Sequence, residues 1–329
     1  MIANPIAVDS IMDIEKLFSG LLKDPAKAGA AAIIIAAILW GIDGVALQPN
    51  LYNLDVVVVV FLEHALAFVF MVPLLIKEAS QLKKLHNKDF LAFAWVALFG
   101  GAIGTMAITQ ALFLVNFIPL SVPILIQKVQ PVFAIIMAVF LLGEKPPEKF
   151  YYYAAAALVG SYLITFGFDA PVIDLANKTL QAALLGLLAA FAFGSSTTVG
   201  RYAVKKVSAG MATYLRFGLT AAVMLAIMLS FGKQSGIMAV SQFQWMILLL
   251  IVFTTGGLAM MIYYFGLKRV PASKATLYEL AFPFTAIVLD YALHGKFLSP
   301  GQIIGAVLLL WAVISLERVK VAGATVSKS

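Results

Sequence analysis

This chain of 329 residues is 62% hydrophobic and only 12% charged, which is more apolar surface than a soluble domain of this length can bury. The composition therefore predicts a multi-pass membrane protein. The absence of cysteine excludes disulfides, thiolate metal sites and thiol nucleophiles. The net charge of +7 does not by itself indicate a nucleic-acid partner, because in a membrane protein the positions of Lys and Arg matter more than their sum, and no such partner is predicted.

The amino-terminal leader, residues 1–29, does not have the pattern of a signal peptide. It contains the acidic residues Asp9, Asp13 and Glu15, and no small-residue cleavage site precedes the first apolar segment. Within the leader, residues 10–22 place apolar side chains at helical spacing. This spacing predicts a short amphipathic helix lying on the membrane surface, and a solvated leader is the alternative.

Ten apolar segments follow the leader, with lengths typical of membrane-spanning helices. They lie at roughly 29–48, 54–76, 90–115, 118–143, 150–168, 180–200, 211–231, 244–266, 271–295 and 300–317. Several of the connections between them are too short to hold a further domain. The chain is therefore predicted to be a bundle of ten membrane-spanning helices.

Lys and Arg are concentrated in alternate connections, which the positive-inside rule assigns to the cytoplasm. The leader, the even-numbered connections and the tail carry most of these residues. The opposite face has only Lys178, Lys233 and Lys296. Both termini are therefore predicted to be cytoplasmic.

One stretch of the chain occurs twice, at residues 119–143 and 271–295, with a constant offset of 152. Each copy carries a proline near its middle, Pro131 or Pro283. Proline frees a backbone carbonyl that only neighbouring protein can satisfy inside a membrane, so each copy is predicted to be a kinked membrane-spanning helix.

The repeat divides the chain into two five-helix halves, residues 30–168 and 178–318. An extracytoplasmic linker at 169–177 joins them, and a tail at 319–329 follows. Because five is an odd number, the two halves are predicted to be inverted relative to each other. Inverted repeats place a solute site near the membrane midplane. The predicted fold is thus all-α, with two inverted five-helix repeats around a central cavity.

The repeated helix also carries a recognisable motif. The two stretches that hold it are IQKVQPVFAIIMAVFLLGEKP (126–146) and YYFGLKRVPASKATLYELAFPFTAIVLDYALHGKFLSPGQIIGAVLLL (263–310). These stretches resemble the EamA-type transporters of the drug/metabolite transporter superfamily. Leu142-Gly143-Glu144 keeps the family pattern, whereas the second copy reads His294-Gly295-Lys296. Arg216 keeps the arginine of the family's second helix, and Glu63 stands at the matching position in the first half. The resemblance implies ten helices around a cavity and the export or exchange of small metabolites.

Ionisable and polar side chains inside the predicted spans form the candidate site, because a charge at such depth suggests a function. Their depths predict that Lys128 pairs with Glu63 or Asp43, and that Arg216 pairs with Glu279. The full set predicted to bind solute or couple its transport is Lys128, Glu279, Gln127, Gln130, Asp43, Glu63, His64, Arg216, Ser196, Tyr278 and Trp40, with Pro131 and Pro283 as helix kinks or hinges.

Several of these candidates have a structural alternative. The polar run Gly194–Thr198 either packs helices together or lines the cavity. Arg216 lies near enough to the cytoplasmic face to snorkel, and His64 either gates proton coupling or packs as a neutral side chain. Tyr278 and Trp40 either stack on a solute or pack within the bundle.

The predicted function is that of a secondary transporter, an exporter or exchanger of small metabolites that works by alternating access. Predicted buried carboxylates outnumber buried Lys and Arg side chains, which favours either proton coupling or a solute with an amino group over a purely anionic solute. Amino acids are therefore the first predicted solutes, and protons are the candidate coupling ion. A sugar-phosphate or organic-anion exchanger is the main alternative, followed by a channel-like facilitator and a membrane-embedded enzyme.

An enzyme is disfavoured, because the three histidines lie on separate segments and no HExxH or nucleotide-binding motif is present. No catalytic residue, metal site or cofactor is predicted. The expected partners are a small-molecule solute and the lipid bilayer, and the expected assembly is a monomer or homodimer. The expected location is a bacterial or archaeal cytoplasmic membrane.

Overall fold

The computed structural model describes residues 24–114, 126–169, 178–294 and 299–323. The predicted surface helix at 10–22 and nearly all of the predicted linker at 169–177 lie outside these ranges.

Helices make up the regular structure of the described residues, apart from one isolated bridge between Lys145 and Ala322. The α-helices are α1 (Pro25–Ile42), α2 (Val56–Phe70), α3 (Val72–Glu78), α4 (Asn87–Trp95), α5 (Gly104–Leu114), α6 (Gln130–Leu142), α7 (Glu148–Phe166), α8 (Thr179–Ala203), α9 (Ala209–Ser230), α10 (Gln242–Ile251), α11 (Gly257–Leu267), α12 (Ala272–Tyr278), α13 (Ala281–His294) and α14 (Pro300–Glu317). Short 3₁₀ segments lie at Gln48–Leu51, Ala79–Lys84 and Gln234–Ala239.

Six continuous helices among the described residues are long and apolar enough to cross a membrane. They are Pro25–Leu51, Asn87–Leu114, Leu180–Ala203, Ala209–Ser230, Gln242–Leu267 and Pro300–Glu317. A seventh candidate is the pair Val56–Phe70 and Val72–Lys84, which is bent by 47°. The chain is therefore an integral, multi-pass, all-α membrane protein, while the count of ten spans stays a prediction.

Polar residues cap the first turns of several of these helices. At the start of α9 the hydroxyl of Ser208 accepts a hydrogen bond from the backbone N–H of Met211 at 3.0 Å. Ser241 and Gln244 form a reciprocal capping box at the start of α10. These caps satisfy backbone donors that have no partner in the first turn, so each helix begins at a residue set by the local sequence.

Three π-helical segments interrupt the long helices, at Asp43–Leu47, Val96–Ile103 and Val252–Gly256. The second and third overlap when the repeat offset of 152 is applied. Such segments widen a helix locally and are frequent at functional sites. The first and third segments contribute residues to the cavity described below, and the second lies beside it.

Helices from the first and second parts of the chain pack against one another throughout the bundle. The helix α1 contacts α11 and α13, and α2 contacts α9. Between α7 and α14 the backbones come very close, because a Cβ atom added at Gly160 would lie 2.7 Å from the backbone nitrogen of Leu309. Inside a membrane the hydrophobic effect does not drive helices together, so helix contacts depend on small residues that allow close packing.

Candidate functional site

A cavity of about 290 Å³ lies among these helices. Helices from both parts of the chain line it, including the end of α1, the start of α6 and the turn between α12 and α13. Eleven sequence-predicted candidates belong to the lining: Trp40, Asp43, Glu63, His64, Gln127, Lys128, Gln130, Pro131, Ser196, Arg216 and Glu279. Tyr278 is not among the lining residues and is buried in the apolar core. The side chain of Pro283 lies outside the described part of the structure.

Both copies of the repeated helix are interrupted near their prolines. In the first copy a turn at Lys128–Val129 precedes α6, which has Pro131 in its first turn. In the second copy a turn at Glu279–Leu280 separates α12 from α13. Proline cannot donate the backbone hydrogen bond that would continue the helix, so the chain turns there and places an ionisable side chain at each interruption.

The carboxylate of Glu279 is held by three uncharged donors. It accepts a hydrogen bond from Gln130 Nε2 at 2.6 Å. It also accepts from the hydroxyls of Tyr263 at 2.8 Å and Thr197 at 3.2 Å. Those two hydroxyls are 3.0 Å from each other. The network joins α6, α8 and α11 to the turn before α13, and it makes Glu279 the polar centre where these helices meet.

A second polar cluster joins Asp43 and Glu63 through Gln48. The side-chain amide of Gln48 donates to Glu63 Oε1 at 2.7 Å and lies 3.5 Å from Asp43 Oδ2. Thr255 donates to the other oxygen of Asp43 at 3.0 Å. Lys128 Nζ donates to the carbonyl of Ser161 at 3.2 Å. The carboxylates of Asp43 and Glu63 therefore bind uncharged partners.

Sequence reasoning did not select Gln48, because its place beside Asp43 depends on an irregular helical segment. A π-helical segment follows α1, and the backbone N–H of Gln48 bonds to the carbonyl of Asp43, five residues earlier. Residues five apart lie on the same face of a π-helix, whereas they diverge on an α-helix. The irregular segment therefore brings Gln48 beside Asp43, and hydropathy alone does not reveal a π-helix.

Arg216 lies at the cavity wall with only 7% of its surface exposed. Its Nη2 donates to the carbonyl of Gly100 at 2.9 Å, and its Nη1 is 3.4 Å from the hydroxyl of Tyr264. Arg216 and Glu279 thus bind separate partners in the described structure. Nearby on the wall, His64 Nδ1 lies 2.8 Å from the carbonyl of Val60. A carbonyl can only accept, so Nδ1 of a neutral His64 is the donor and Nε2 is left as an acceptor.

The polar run Gly194–Thr198 serves both of its predicted purposes, on different faces of α8. Ser195 accepts from Trp95 Nε1 at 3.1 Å, and Thr198 donates to the carbonyl of Ala134 at 3.0 Å. These two residues pack helices together. Ser196 and Thr197 instead line the cavity. A helix turns by about 100° per residue, so adjacent polar residues point in different directions.

Glu144, from the Leu-Gly-Glu motif, links the two parts of the chain away from the cavity. Its side chain is 2% exposed and accepts the backbone N–H groups of Ala272 at 2.8 Å and Ser273 at 3.1 Å. The hydroxyl of Ser273 donates to the same carboxylate at 2.5 Å. Glu144 therefore caps α12, the helix that leads to Glu279. Sequence reasoning noted the motif without finding this contact.

Comparison with known proteins identifies relatives that match most of the chain. The model of the EamA-like transporter family matches it twice, at residues 27–166 and 180–317. The riboflavin transporter ImpX of Fusobacterium nucleatum is 42% identical over 291 residues, which cover 88% of this chain and 97% of that protein. An uncharacterized transporter of Archaeoglobus fulgidus is 26% identical over 293 residues, which cover 89% and 97%. A solved crystal structure at 16% identity has a similar fold, with a TM-score of 0.65 over 89% of this chain and 96% of the other.

Proposed function

Because the chain belongs to the EamA-like transporter family of the drug/metabolite transporter superfamily, we propose that it carries a small, uncharged aromatic solute across the membrane, with riboflavin as the first candidate. Membership makes the chain a small-molecule transporter and not an enzyme. The observation that carries the choice of solute is the 42% identity to a riboflavin transporter over almost its entire length.

The chemistry of the cavity supports this solute. Several aromatic side chains belong to its wall, and the rings of Trp40 and Tyr263 lie 5.2 Å apart at an angle of 53°. Flat apolar ligands pack well on such walls, while a few polar groups fix their orientation. Gln48, Gln127 and Gln130 supply amide groups to the same wall. An uncharged ring system with carbonyl and hydroxyl groups matches this combination.

The proposed architecture is ten membrane-spanning helices in two inverted five-helix repeats, residues 30–168 and 178–318, with both termini in the cytoplasm. The double match to the family model supports two repeats of similar length. The interrupted helices at Lys128 and Glu279 support a site at the interface between the repeats, as in transporters built from inverted repeats. The two halves would rock about this site to expose it to each side in turn.

Amino acids are the second candidate solutes. Three acidic side chains line the cavity, those of Asp43, Glu63 and Glu279, and an amino group would find partners among them. The same acidic groups make protons the candidate coupling ion. This reading requires the solute to compete with Gln48 and Gln130 for the carboxylates, which are already hydrogen-bonded.

The test is counterflow in proteoliposomes that contain the purified protein. Vesicles are loaded with unlabelled riboflavin, an amino-acid mixture or sugar phosphates, and the entry of the corresponding labelled solute is followed with and without a proton gradient. We expect saturable riboflavin counterflow. Glu279→Gln should reduce riboflavin affinity about tenfold, because it weakens the charge-assisted hydrogen bonds that hold Gln130 and Tyr263 at the cavity wall. Glu148→Gln, at an exposed residue of α7, is the matched control.

Each alternative gives a different result in this assay. Counterflow of amino acids without riboflavin would replace the first candidate with the second. Counterflow of sugar phosphates alone would favour the organic-anion exchanger. Entry of riboflavin that does not saturate and shows no counterflow would indicate a channel.

A further inference from the structure

Hydrogen-bonding atoms without a partner are gathered at the cavity. Gln48 Oε1, Arg216 Nε and Thr276 Oγ1 are buried and have no hydrogen-bond partner among the described residues, and all three residues line the cavity. Buried polar atoms are nearly always paired in folded proteins, so each such atom needs an explanation. A solute bound in the cavity would explain all three unpaired atoms, because it could supply their missing partners.

Arg216 carries the strongest of these unmet requirements, because its group is charged. Burying a guanidinium donor without an acceptor is costly, and the cost falls when a ligand supplies one. The other nitrogens of Arg216 bond to Gly100 and Tyr264, which hold the guanidinium in place. These bonds fix the guanidinium of this cavity-lining residue before a solute binds, so little side-chain entropy is lost on binding.

The charges around Arg216 favour an uncharged acceptor over an anion. The described cavity wall holds the carboxylates of Asp43, Glu63 and Glu279 against the cations Lys128 and Arg216. An anion would add a negative charge beside these three acidic side chains at a site shielded from water, where an unfavourable charge contact is costly. A carbonyl oxygen accepts from Nε without adding charge.

Building on the proposed function, we propose that Arg216 Nε is the polar anchor of the solute and donates to a carbonyl oxygen of the pyrimidinedione ring of a flavin. The edge of that ring presents two carbonyl acceptors with an N–H donor between them. Gln48 Oε1 and the free Nε2 of His64 are acceptors on the same wall that suit such a donor. Arg216 is in this view a specificity-determining residue.

The experiment measures binding to purified protein in lipid nanodiscs by the quenching of riboflavin fluorescence. Analogues with sulfur in place of the oxygen at the C2 or C4 carbonyl compete against riboflavin, because a thiocarbonyl is a weaker acceptor. In the wild type we expect about tenfold weaker binding of one of the two analogues. Arg216→Gln should weaken riboflavin binding about 10- to 100-fold and bind riboflavin and that analogue equally. Arg216→Lys should also lose the discrimination, since it keeps the charge without the Nε donor.

The ratio of the two affinities within one protein does not depend on how much of that protein is folded, so a destabilised variant still gives an answer. Arg201→Gln is the matched control, because Arg201 is 2% exposed but does not line the cavity. It should keep the wild-type discrimination. If Arg216→Gln keeps the tenfold preference, the anchor is wrong while the transport of flavins stands. If the wild type binds no flavin, the proposed function is wrong and the carbonyl anchor falls with it.

Discussion

The capping of α12 by Glu144 makes the sharpest prediction about how this protein is held together. Glu144→Ala would remove the acceptor of two backbone N–H groups, those of Ala272 and Ser273, and of the hydroxyl of Ser273. The carboxylate is buried, so solvent does not readily replace it. The cap connects the end of α6 to the helix that leads to Glu279, and its loss should loosen the packing between the two parts of the chain.

The contacts set the size of the effect. A buried donor that loses its partner costs about 1–3 kcal/mol, so two orphaned amides predict a loss of about 3 kcal/mol in the free energy of unfolding for Glu144→Ala. Glu144→Gln keeps one acceptor oxygen and should lose about 1–2 kcal/mol. Ser273→Ala removes only a hydroxyl and should lose about 1 kcal/mol.

Reversible unfolding in mixed detergent–SDS micelles, followed by tryptophan fluorescence, would measure these differences. Because Glu144 and Ser273 share a bond, the double variant should be less destabilised than the sum of the single variants by about 1 kcal/mol. Glu148→Gln, at an exposed position of α7, should stay within about 0.5 kcal/mol of the wild type. A loss below about 0.5 kcal/mol for Glu144→Ala, or additive effects in the cycle, would refute the cap.

Two further predictions concern packing and the cavity wall. Gly101→Ala should destabilise the protein by about 1–3 kcal/mol, because the added Cβ would lie 2.0 Å from Thr220 Oγ1. Gly44→Ala is the control, since its added Cβ meets only ordinary contacts, the nearest at 3.6 Å. Thermal unfolding of the two variants compares them directly. Tyr263→Phe should weaken riboflavin binding several-fold in the fluorescence assay, because it removes a hydrogen bond to Glu279. Tyr278→Phe is the control and should leave binding unchanged, because Tyr278 is not a lining residue. Equal effects of the two variants would argue against this boundary of the cavity.

Much of this protein could be predicted from its sequence because the relevant properties are local. Hydropathy over about 20 residues reports a membrane-spanning helix, and a proline interrupts a helix through its own missing N–H. The interruptions near Pro131 and Pro283 were therefore readable from the residues themselves. The depths of Lys128 and Glu279 follow from their positions along the predicted spans, and they stay predictions.

The partners of those residues depended on the tertiary structure. Gln130 meets Glu279 across 149 residues and Glu144 meets Ser273 across 129, and no local pattern states either contact. The predicted partner of Glu279 was Arg216, since opposite charges at similar depth favour pairing. Which side chains meet depends on how each helix is rotated about its axis and which neighbour it packs against. The rotation of a helix and its choice of neighbour depend on how complete helix surfaces fit together. A single sequence gives the residues of those surfaces but not how they fit.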